Sequence, residues 1–221
     1  MTNEPNPNKQ IEIVIKDSEL PSLAKDYAEI AIDGIMDDGI LKDFPLVGSV
    51  VGFIKFGSSL NKHFASKKIY KFLYQLNTIS EEKRIKKIDE INNSKKYQSN
   101  VGEMILELLE NIESDYKPEI IGRLFKAVIE EEIDYNTYLR LADIVKNSFY
   151  QDLFWFYNQY QDGVYDKQIK INTSSPILQT GLMIDDILNG NAIFPVEDGE
   201  GTETMRKPSK LGITLIEFGM N

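Results

Sequence analysis

Apolar residues recur at helical spacing along most of the chain. Leu20, Leu23, Ala24, Tyr27, Ala28, Ala31 and Ile35 predict an amphipathic helix from about residue 19 to 37, with Asp26, Glu29, Asp33 and Asp37 as an acidic ridge on another face. The helical pattern resumes after Gly57-Ser58-Ser59 through Phe64, Ile69, Phe72, Leu73 and Leu76. Ser80, followed by Glu81 and Glu82, reads as the cap of a short basic helix ending at Asn92-Asn93-Ser94. Val101, Met104, Ile105, Leu108, Leu109 and Ile112 give the cleanest stripe in the chain. Pro118 opens the next helix, which buries Ile121, Leu124, Phe125 and Val128 and closes at Glu130-Glu131-Glu132. Asp134 or Asn136 caps another, with Tyr138, Leu141, Ala142 and Val145 inward, and an aromatic-rich helix follows from Phe149 to Tyr160. Its rings, Trp155 among them, are expected in the core or at a subunit contact.

Two stretches depart from this regime near the N-terminus. Residues 1–9, with Pro5 and Pro7, read as a disordered tail, and Gln10 to Lys16 alternates Ile11, Ile13 and Ile15 with Glu12, Val14 and Lys16, the period of a strand. Between Asp43 and Lys55 lie eleven uncharged residues that read as a helix apolar around most of its circumference. Val51 and Phe53 belong to that apolar surface, while Gly48 and Gly52, one turn apart, leave a groove where another helix approaches closely. At about 1.5 Å per residue it spans about 17 Å, short of the roughly 30 Å of a bilayer's hydrocarbon. It is either the central helix of a bundle or a segment released to enter a membrane or a partner's groove.

Past Gln161-Asp162-Gly163 the helical pattern ends. Gln168 to Ile171 reads as a short strand, Ser174 or Ser175 caps a helix with Pro176 near its start, and Gly181 interrupts it. Ala192 to Val196 and Thr202 to Met205 form the arms of a hairpin, and Ser209 leads into a last helical segment. The organisation expected is therefore mainly α: a multi-helix bundle over 10–163 with an isolated N-terminal strand, then a winged-helix-like α+β part over 164–221.

Charge changes the picture. The net charge of −10 disfavours general nucleic-acid affinity. Residues 55–96 nevertheless hold eleven Lys/Arg against four acids. Lys55, Lys62, Lys67 and Lys68, directly after the apolar stretch, suit either an anionic membrane surface or ordinary exposed helices. If the acidic ridge of 26–37 lies against this basic region, it holds the apolar helix in place. Residues 164–221 carry five cations against eight acids, a poor match to DNA.

The chemistry of sites is sparse. With no cysteine and a single histidine, thiol catalysis and thiolate or imidazole-rich metal sites are excluded, so no cofactor or metal is expected. His63 reads as a surface residue, and no phosphate loop or calcium loop occurs. No secretory leader and no run of eighteen apolar residues is present, which gives an expectation of a cytoplasmic protein, at most peripheral to a membrane.

With the Pro-Leu-Val-Gly stretch, the Lys67-Lys68-Ile69-Tyr70-Lys71-Phe72-Leu73 segment, GRLFKAVIEEEIDY at 122–135 and the winged-helix-like end, the chain resembles a group of small bacterial proteins of unassigned function. In layout over residues 40–221 it also resembles the abortive-infection Abi-alpha proteins, which pair a helical body with a compact C-terminal wing. That resemblance implies a role in bacterial defence or phage exclusion, and assigns no residue. The expectation is a non-enzymatic interaction protein, acting as a homo-oligomer or on a protein partner. A winged-helix DNA-binding regulator and an enzyme without a recognised motif are the alternatives.

Overall fold

A computed structural model describes residues 7–21, 59–97, 100–185, 193–195 and 202–221. The chain is mainly helical and divides into two units, residues 1–138 and 139–221, the division falling inside a helix. Within the first lie α1 (Pro7–Lys16), α2 (Ser59–Tyr74), α3 (Glu81–Asn92), α4 (Val101–Asn111), α5 (Lys117–Ile129) and the first turn of α6 (Tyr135–Asn147). The second holds the rest of α6, α7 (Tyr150–Tyr160) and a small antiparallel sheet closed by α8 (Lys210–Leu215).

The alternation of residues 10–16 predicts a strand; the structure has α1 instead. Ile11, Val14, Ile15 and Leu20 are all buried, whereas Ile13 is 55% exposed. Burial thus follows the i, i+3, i+4 spacing that the same residues also contain. Tertiary contacts settle the choice, because α1 lies against α3 and α4. The Glu12 carboxylate accepts from Gly102 N at 3.0 Å and from Asn92 Nδ2 at 3.1 Å, while Asn92 Oδ1 accepts from Val101 N and Asn100 Oδ1 from Glu103 N. Three of the orphan donors of the α4 N-terminus are satisfied this way, two of them by residues on other helices, Glu12 of α1 and Asn92 of α3.

At its other end α1 is held by Arg84, whose side chain is fully buried. Nε donates to Ile15 O at 2.6 Å, Nη2 to Asp17 O at 2.5 Å, and Nη1 to Ile79 O. A cation thus sits on the C-terminal carbonyls of α1, where the helix dipole is negative. Desolvation pulls the guanidinium below its usual value, opposed by Glu81 and Asp17. An arginine stays charged through such a shift.

The other helices follow the expected starts and stops. Ser80 Oγ accepts from Lys83 N at the start of α3. Asp134 Oδ1 accepts from Asn136 N at 2.9 Å and Thr137 N at 3.1 Å, and with the Thr137 hydroxyl on Oδ2 these bonds hold the carboxyl below its usual range. Helices α2 and α5 pack where Gly122 meets Phe72 O; a Cβ there would lie 2.8 Å from that carbonyl. Phe125 and Tyr138 rings meet at 5.4 Å, and Tyr138 stacks on Tyr135 at 5.7 Å.

The Tyr138 hydroxyl is buried with no hydrogen-bond partner, and burial followed by the neighbouring Tyr135 raises its pKa well above the ordinary value. Unpaired buried hydroxyls cost on the order of 1 kcal/mol or more. Tyr138→Phe is therefore expected to leave stability unchanged or raise it by up to about 1 kcal/mol in urea denaturation. A comparable loss would reveal a partner for the hydroxyl.

In the second unit, β4 (Thr202–Pro208) is the centre of a four-stranded antiparallel sheet. β1 (Ile169–Asn172) pairs with residues 203–206 of it. β2 (Met183–Asp185) and β3 (Ile193–Pro195) pair with 206–208 and 202–204 respectively, so these two share the opposite edge. The hairpin expected over 192–205 is β3–β4. A helix expected after Ser175 is instead one 3-10 turn, Pro176–Gln179, because Gly181 turns the chain at φ +77 and β2 then joins the sheet. Helix α7 belongs with this unit rather than with the bundle before residue 163. Tyr157 Oη donates to Asn221 Oδ1 at 3.1 Å, and Phe156 lies against the backbone of Gly212.

Candidate interaction surface

Of the residues singled out in the sequence, Gly48, Val51, Gly52, Phe53 and Lys55 lie outside the described residues, as does the acidic ridge of 26–37. Lys62 is on α2, with its side chain outside them. Lys67 and Lys68 are on the same helix, and here the structure changes the reading of the basic region. Lys67 pairs with Asp115 at 2.6 Å, with 17% of its side chain exposed. Lys71 pairs with Glu119 at 2.7 Å, donates to Asp115 O at 2.9 Å and lies 5.3 Å from the Tyr116 ring centre. Burial lowers the pKa of Lys68, against the opposing pull of Asp115, Glu110 and Glu113.

The same holds on α3. Burial works to lower Lys87, but its hydrogen bonds with Glu131 and Glu90, each at 3.0 Å, outweigh that and raise its pKa. Glu131 is correspondingly held low, first by its hydrogen bond with Lys87. Lys16 of α1 pairs with Asp89 at 2.5 Å. The described carboxylates that meet the basic segment therefore come largely from residues 110–131. Among the described cations of the segment, Lys67, Lys71 and Lys87 are thus paired within the fold and Arg84 lies inside the core. Among the described residues, what remains outward is a weaker field than composition suggests, and exposed Lys83 and Lys86 stand beside exposed Glu81, Glu82 and Glu90.

The sheet's cations are engaged as well. Lys170 pairs with Glu203 at 2.6 Å and Arg206 with Asp185. Each of these two cations is thus turned to a carboxylate within the sheet.

Trp155 lies on α7 beside the exposed Phe154, and the N-cap residue Phe149 is exposed as well. Leu153, Phe156 and Tyr160 turn inward and are buried; burial raises the Tyr160 pKa to about 12. Gln151, Phe154, Trp155 and Asn158 form the opposite face at i, i+3, i+4 and i+7. Phe149 is 67% exposed, Phe154 46% and Trp155 37%, and Tyr150 stacks on Phe154 at 6.1 Å. The sequence reading treats these aromatics as one group. The spacing of Leu153, Phe156 and Tyr160 separates them, since a helix that buries those three must turn Phe154 and Trp155 outward.

Among the described residues no cluster of histidine, aspartate or glutamate is arranged to hold a metal, and no helix is long and apolar enough to cross a membrane. The arrangement offers a contact surface: two exposed aromatic rings flanked by amides on one face of α7. Neither protein-family models, nor curated proteins, nor solved structures match the chain.

Proposed function

We propose that the chain is a non-enzymatic interaction protein acting through protein–protein contact, and that it serves bacterial defence as a phage-exclusion effector. The observation that carries the contact reading is the outward display of Phe154 and Trp155 on α7, with exposed Phe149 at its N-cap. Aromatic side chains held on a rigid element are the groups that contribute most when a contact excludes water. The defence role rests on the sequence's resemblance in layout to the Abi-alpha proteins. In this reading the apolar stretch 44–56 is a second contact element, engaged on triggering.

Lysine pairing within α2 and α3 favours protein over anionic lipid as the target. The full chain is expected to stay in the supernatant with both phosphatidylserine and phosphatidylcholine vesicles at physiological salt. Pelleting with the anionic vesicles alone would move the reading to a membrane surface.

Phage challenge of bacteria expressing the chain tests the defence role. Wild-type protein should reduce plaque counts, and the Phe149→Ser/Phe154→Ser variant should restore them to those of cells without the protein. Serine is a favourable N-cap residue at 149, and both side chains are exposed, so folding is spared. Equal plaque counts with and without the wild-type chain would sink the defence role.

A further inference from the structure

We propose that the aromatic face of α7 is the seat of a homotypic contact, in which the same face of a second copy of this chain packs on it about a two-fold axis. This rests on the interaction reading above and names the partner. The chain has 35 acidic and 25 basic residues, so two copies repel unless they meet where little charge is carried. From Ser148 to Gln161, fourteen consecutive residues include a single charged one, Asp152, in a chain whose residues are 27% charged. Asp152 stands about 100° around the helix from Gln151, off the outward face.

A two-fold contact sets a patch against its own copy, so its side chains must be able to pair with their own kind. Aromatic rings do so by offset or edge-to-face packing. Gln151 and Asn158 do so because an amide carries both donors and an acceptor. A face of lysines or of carboxylates fails the same requirement by like-charge repulsion. A partner of opposite net charge, for its part, is steered to the acid-rich surface elsewhere and finds no charge here to pair with. The outward face of α7 thus meets, by itself, both conditions for a copy of this chain: neutrality and self-complementarity.

Trp155 is the chain's single tryptophan, so its emission reports on the face directly. Sedimentation equilibrium and iodide quenching of the full chain over a wide dilution series are the measurement. The wild type should be a dimer with shielded, blue-shifted Trp155 emission that opens on dilution. Phe154→Glu, which keeps Trp155, should weaken the dimer on the order of tenfold or more, while Phe154→Leu should weaken it far less. Circular dichroism of each variant verifies that the fold is retained.

A wild-type monomer with Trp155 open to iodide at every concentration overturns the homotypic contact. It leaves the interaction reading intact, because a contact with a different protein through the same face is still open to the Phe149→Ser/Phe154→Ser comparison in the phage challenge. A monomer with shielded Trp155 overturns it too, since the chain's own residues then cover the face. So does a dimer that Phe154→Glu leaves as tight as the wild type, because its interface lies elsewhere.

Discussion

Arg84→Met is expected to lower the free energy of unfolding by about 3–5 kcal/mol and to strip amide-exchange protection from α1. Two opposing effects must be weighed. Burying a guanidinium costs desolvation energy, and methionine, of similar length, relieves it. Against that, the three carbonyls of Ile15, Asp17 and Ile79 lose the donors that satisfy them. Asp17 O keeps the amide of Leu20 at 3.3 Å, so the orphans are mainly Ile15 O and Ile79 O. Each buried orphan costs about 1–3 kcal/mol, and losing hydrogen bonds from a charged donor sits at the upper end. Orphaning therefore outweighs relief. Arg84→Lys should recover only part of the loss, since an ammonium on a flexible stem cannot span three carbonyls as a planar fork does. Urea denaturation followed by circular dichroism, with hydrogen exchange at residues 9–16, reads both effects. A methionine variant within about 1 kcal/mol of wild type would show that α1 is held by its apolar contacts alone.

Arg84 also marks what was and was not legible in the sequence. In the sequence it is one of the eleven cations of residues 55–96, and composition gives charge and not direction. Its role depends on residues 67 and 69 positions away, a separation at which no local pattern speaks. The same is true of Glu12, which reads as the polar half of an alternating strand until α4 is there to receive it. By contrast, the starts of α3 and α5 and the buried stripes of α4 and α6 follow from caps and i, i+3, i+4 spacing, both local signals. In α1 the two periods coexist within Ile11, Ile13, Val14 and Ile15, and the partner that decides between them is tertiary. The aromatic face of α7 was legible in principle. Its inward positions already obey the helical period, and reading them as a set assigns Phe154 and Trp155 to the outside.

Gly212→Ala is expected to destabilise the second unit by about 3 kcal/mol, although alanine is the better helix former by about 1 kcal/mol. An added Cβ would collide with Leu182 O and lie 2.8 Å from Phe156 Cζ. The phenyl ring can shift, but the carbonyl is fixed. Leu182 O accepts from Ser209 N at 2.8 Å, the Ser209 hydroxyl donates to Gly181 O at 2.6 Å, and Gly212 N donates back to Ser209 Oγ at 3.1 Å. This closed set of bonds joins the residues before β2 to the cap of α8, and it leaves no slack for a methyl group. Gly163→Ala isolates the other reason a glycine is needed: it has φ +76 but open space around the added atom. That variant should lose only the left-handed backbone cost of about 1–2 kcal/mol. Trp155 lies in the same unit, so its emission during urea denaturation measures both losses. Should Gly212→Ala prove no more damaging than Gly163→Ala, the close approach of α8 to Leu182 is not what holds the sheet and its last helix together.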